Sequence, residues 1–171
     1  METGENNPIH IQTENFNIGL ASRYHLSIQL GIHHFSYCLL NTTTFTYDYA
    51  KKYPLASKDN TATEITEIIN NDAILKAEFS SQSVAFVNFP STLVPSKLYK
   101  KEEAETLLAF NTKVNGTVLA DNIVSQKAHL IYSVPESILT IVSNFFPKAK
   151  YKSQESILIQ QYSQLNTEKK K

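Results

Sequence analysis

Residues 24–50 limit most what this chain can become, because β-branched and aromatic side chains crowd the stretch and its breaks fall near Gly31 and Asn41. Such residues suit a pleated, half-buried backbone, so the stretch reads as three consecutive strands joined by tight turns. The first strand is expected over 25–31, with Leu26, Ile28 and Leu30 on one face and Ser27 and Gln29 on the other. The second is expected over 34–40. The third is expected over 43–50, where Phe45, Tyr47 and Tyr49 alternate with Thr44, Thr46 and Asp48, before Lys51-Lys52-Tyr53-Pro54 ends it. Asp48 is thereby assigned to a polar surface.

The rest of the chain supplies covers and further strands. Residues 62–76 carry Ile65, Ile68, Ile69, Ala73 and Ile74 at helical spacing, with Glu64 and Glu67 in the early turns, where the helix dipole favours acids. Asn60 or Thr61 is the expected cap, after the polar stretch 57–61. Residues 83–89 read as a buried strand closed by Pro90, and residues 91–99 as an irregular connection. A second helix is expected over 101–110, with Ala104, Leu107, Leu108 and Phe110 inward. Asn115-Gly116 marks a turn, 117–123 is strand or loop, and 128–134 is a strand. Pro135 opens a third helix whose apolar face is Ile138, Leu139, Ile141, Val142 and Phe145, ended by Pro147. A brief strand at 149–152 leads to a last helix with Ile157, Leu158, Gln161, Tyr162 and Leu165 at helical spacing. The organisation expected is an N-terminal arm over 1–22, partly disordered to about Thr13 or adding a short strand at Ile9-His10-Ile11, a single lobe over 23–165, and a basic tail over 166–171.

Composition narrows the functions. A chain of 171 residues with 42% apolar and 19% charged content can bury one real core. Sixteen basic residues balance sixteen acidic ones, so no global field draws it to nucleic acid or an anionic membrane. No run approaches the roughly 18 apolar residues of a membrane span, and the first twenty residues lack a signal-peptide pattern, so a cytoplasmic address is expected. The single Cys38 agrees with a reducing compartment. Asn41-Thr42-Thr43 and Asn115-Gly116-Thr117 match the glycosylation pattern but read as turns. With four glycines and no GxGxxG, Walker or GxSxG motif, the usual phosphate cradles and catalytic elbows are missing.

The order strand, strand, strand, helix, strand, helix, strand, helix resembles one lobe of the actin-like ATPase fold shared by sugar kinases, heat-shock chaperone ATPases and actin. Leu26-Ser27-Ile28-Gln29-Leu30 with Phe35-Ser36-Tyr37-Cys38-Leu39 sharpens the match. So do Ser91-Thr92-Leu93-Val94-Pro95 with Leu98-Tyr99, and Ile131-Tyr132-Ser133-Val134-Pro135 with Phe146-Pro147. Together these resemble a bacterial family, domain of unknown function 3822, itself similar to pilus-assembly and cell-division actin-like proteins. The resemblance covers about 24–165. It implies an α/β (mixed α+β), ribonuclease-H-like/actin-like lobe, a three-stranded antiparallel meander extended by strands joined through helices. It also implies that a second lobe, present in longer members, is missing here.

In that fold the first hairpin carries an Asp-x-Gly whose carboxylate organises Mg²⁺ and whose neighbouring amides hold phosphate. The matching stretch here is Gln29-Leu30-Gly31-Ile32-His33-His34. Gly31 remains, but Gln29 is neutral and supplies no anionic oxygen for a hard cation. Phosphoryl transfer depends on such electrostatic positioning, so catalysis is not expected. Adjacent His33 and His34 read as turn residues rather than zinc ligands, and His10, His25 and His129 have no acidic partner at a diagnostic spacing. Cys38 reads as a small buried hydrophobe.

The leading expectation is therefore a non-catalytic domain, without cofactor or metal, that acts through protein–protein contacts or self-association as a dimer. The alternative is an ATP-binding protein with weak or no hydrolysis, in which Gln29, Gly31 and His33 contact the nucleotide. A third reading, a nucleic-acid accessory, rests on Lys51-Lys52-Tyr53, Lys97-Leu98-Tyr99-Lys100-Lys101 and Lys148-Ala149-Lys150-Tyr151-Lys152.

Overall fold

The computed structural model describes residues 9–56 and 60–168, with side chains to 165. The expectations placed on 1–8, on 57–59 and on Lys169-Lys170-Lys171 lie outside the described residues. Two compact units result, one of residues up to 85 with 140–151, the other of 86–139 with the residues from 152 on.

The meander forms. Strand β2 (Tyr24–Gly31) pairs antiparallel with β3 (His34–Asn41), and β3 pairs antiparallel with β4 (Tyr47–Pro54). The arm contributes β1 (Ile9–Gln12), antiparallel to β4. With β5 (Ser81–Val87) and β9 (Lys150–Ser153), the six-stranded sheet runs β1-β4-β3-β2-β5-β9. Leu26, Ile28 and Leu30 are buried and alternate with half-buried His25, Ser27 and Gln29, as expected of a strand with one core face.

The third strand departs from its expected 43–50. It starts at Tyr47 because Asn41 captures the chain first: its side-chain oxygen accepts from the amides of Thr43 and Thr44, and its carbonyl accepts from Phe45 N. Phe45 closes that turn in a left-handed conformation, φ 58°. Pairing then jumps from Leu39↔Tyr49 to Leu40↔Tyr47, leaving Asp48 as the extra residue of a β-bulge. The bulge breaks the alternation, so Tyr47 is exposed while Asp48 and Tyr49 are both buried. Asp48 is 5% exposed, which corrects its assignment to the surface.

Helix α1 (Thr61–Asn71) buries Ile65 and Ile69. Asn60 takes the cap position without a side-chain bond. The helix stops five residues short of the expected end, because Asp72 leaves helical backbone (φ −92°, ψ 108°) and its carboxylate accepts from Ile74 N to start a separate 3₁₀ turn, Ile74–Lys76. The start of β5 lies beside the start of β2, where Ser80 N and Oγ both donate to Tyr24 O.

In the second unit a three-stranded antiparallel sheet runs in the order β6-β8-β7, where β6 is Ser91–Pro95, β7 Thr117–Ile123 and β8 Ala128–Val134. Ser91–Pro95 was expected to be irregular; Pro95 is tolerated at the end of a strand on the sheet's edge. Helix α2 (Ala104–Ala109), entered through a 3₁₀ turn, packs Ala104 and Leu108 with Val94 and Ile131. Phe110 is 79% exposed rather than inward, since the helix has ended before it. Helix α3 (Glu136–Phe145) is followed by Phe146, which is buried in place of the expected Phe145. Helix α4 (Gln154–Glu168) closes the described chain.

Candidate functional site

The core face of the meander sets tyrosines among aliphatic residues, and a buried phenol hydroxyl requires a partner. Register places Tyr37 opposite Lys51 and Phe35 opposite Tyr53, so Tyr37, Lys51 and Tyr53 share one face. Asp72, at the end of α1, meets all three. Its Oδ2 accepts from Tyr37 at 2.6 Å, Tyr53 at 2.6 Å and Lys51 Nζ at 3.2 Å, while Oδ1 accepts from Ile74 N at 3.0 Å. Lys51 Nζ also lies 4.8 Å from the Tyr53 ring centre. Burial alone would raise the Asp72 carboxyl, but the hydrogen bonds from Tyr37, Tyr53, Ile74 and Lys51 outweigh it and hold its pKa below the ordinary value. Burial and the bond to Asp72 push the Tyr37 phenol well above its own ordinary value. Accepting four hydrogen bonds from two strands and from the turn after α1, the carboxylate is a fastening between helix and sheet.

A second buried carboxylate sits at the bulge. Asp48 accepts from Tyr24 Oη at 3.0 Å, Thr46 Oγ1 at 2.9 Å and Asn41 Nδ2 at 3.3 Å. Burial opposes its ionisation, and these bonds more than offset that, so its pKa lies below normal. Neither cluster was singled out from sequence. The available signal was Tyr37 on an apolar face, which demands a partner; its distant position in the chain hid which one.

A cavity of about 320 Å³ beside Tyr53 is lined by Pro54, Glu64, Glu67, Ile68 and Asn71. Two carboxylates and no basic side chain suit it poorly to a polyphosphate.

The hairpin singled out from sequence lies between β2 and β3. Gln29 is half-buried on the polar face, its Oε1 accepting from Ser36 at 3.5 Å. Gly31 ends β2 without a left-handed backbone. His33 is exposed in the turn, where its carbonyl accepts from Leu55 N. The three positions share one hairpin, but Gln29 lies on the opposite face of β2 from Ile28, and Ile28 is on the face that Tyr37 and Lys51 share. His25 bridges Ser81 and Ser83 at 2.7 and 2.9 Å. Burial, then Lys150, lowers its pKa, and burial with Lys52 and His33 lowers that of His34. Burial raises the Cys38 thiol. Among the described residues no three His, Cys, Asp or Glu side chains gather to hold a metal, and no helix is long and apolar enough to cross a membrane. Within the lysine clusters Lys51 is engaged with Asp72, Lys100 with Glu103 and Lys152 with Gln160.

Helix α4 is oriented against its own composition. At 100° per residue Ser156, Gln160 and Ser163 fall on one side and Leu158, Tyr162 and Leu165 on the other. The polar side faces in: Gln160 Nε2 donates to Asn122 O, Gln126 donates to Ser163 Oγ, and Ser156 is fully buried, its Oγ without a partner among the described residues. The apolar side faces out, with Leu158, Tyr162 and Leu165 exposed by 59%, 69% and 57%. The expected apolar face exists but is not covered.

The fold is that of a solved protein from Bacteroides thetaiotaomicron VPI-5482 described as having an actin-like ATPase fold and unknown function. The TM-score is 0.79 at 19% identity, over 86% of this chain and 58% of that one. The chain thus spans less than two thirds of that protein's length. No curated protein matches the sequence. The profile of the family described as protein of unknown function (DUF3822) matches residues 13–171. With the meander, the helices and the strands that extend it in place, the chain belongs to that family and folds as a lobe of the actin-like ATPase type.

Proposed function

We propose that this lobe works by binding protein rather than by phosphoryl transfer. The observation that carries the reading is the outward apolar face of α4, since a helix normally buries such a face and an exposed one of this kind is commonly an interaction surface. The chemistry of the hairpin supports it from the other side. Gln29 offers no carboxylate to Mg²⁺, Gly31 makes no left-handed turn around a phosphate, and the cavity near Tyr53 is lined by acids.

Thermal unfolding with and without millimolar Mg-ATP tests this. No shift is expected. A ligand at about a hundred times its dissociation constant stabilises by about 2.7 kcal/mol, so a clear rise would overturn the reading. Loss of that rise in Gly31→Val would assign the nucleotide to the β2–β3 hairpin. The lysine clusters favour nucleic acid less, because each contributes a side chain to an internal pairing.

A further inference from the structure

We draw no further inference here: the strongest candidate, the outward apolar face of α4 with Leu158, Tyr162 and Leu165 exposed, carries nothing beyond the contact reading, because nothing in the structure shows what covers it.

Discussion

Tyr37 and Asp72, 35 positions apart in sequence, meet at 2.6 Å and join the middle strand of the meander to the end of α1. Tyr53 reaches the same oxygen at the same distance from β4. Hydrogen bonds to a buried charge contribute about 1.5–3 kcal/mol each. Tyr37→Phe should therefore destabilise the protein by about 2 kcal/mol, and Tyr53→Phe by less, because water can replace the donor at the half-buried site. Urea denaturation with a constant m-value would check both; equal, negligible losses would mean that the cluster contributes nothing.

The pH profile follows from the same carboxylates. Asp72 and Asp48 have folded pKa values below normal despite their burial, through the hydrogen bonds they accept. Their stabilisation is fully present above the unfolded value of about 3.9 and is lost as pH falls through the lower folded value. Tyr37 acts at the other end: its raised value gives stability that is complete below the unfolded value of about 10 and declines as pH rises towards the folded one. Asp72→Asn should lower stability at neutral pH and flatten the acid limb. An unchanged slope of unfolding free energy between pH 4 and 2 would contradict an ionised Asp72.

Gly116 occupies φ 93°, and a Cβ placed there would lie 2.2 Å from Val134 O and 2.6 Å from Pro135 Cα. Those are backbone atoms of β8 and the residue after it, which cannot swing aside. Gly116→Ala should destabilise by at least about 2 kcal/mol, combining left-handed strain with the clash. A melting temperature within a degree of the parent's would refute this.

Leu108 and Phe110, two residues apart, have opposite fates. Leu108 is fully buried in the core of the second unit, so Leu108→Ala should destabilise by about 2–5 kcal/mol. Phe110→Ala should change stability by less than about 0.5 kcal/mol. Chemical denaturation of the two variants would check the order; a larger loss at Phe110 would reverse the assignment of the helix face.

How much was legible depended on whether a rule was local. The strands 25–31, 34–40 and 128–134 were readable because alternation and turn residues agree along them, and α1 because Ile65 and Ile69 repeat at helical spacing. The Asp72 cluster was not, since it needs the register of β3 on β4 and the place where α1 stops. Ser91–Pro95 hid because Pro90 before it and Pro95 at its end suggest irregular chain, and an edge position excuses the one at its end. Helix α4 was found from its period, yet its period could not tell that Ser156, Gln160 and Ser163 would be the buried side. The actin-like architecture came through the resemblance of the element order, sharpened by several short stretches.

The bulge at Asp48 makes the distance from Asn41 to Tyr49 a matter of parity. Removing one residue there would put odd and even positions of β4 back in step with the turn and send either Asp48 or Tyr49 outward, dissolving one of the contacts on which Tyr24 and Leu39 rely. Adding or removing two would preserve the assignment of faces. The bulge therefore sets a constraint on the length of β4 rather than on which amino acids fill it.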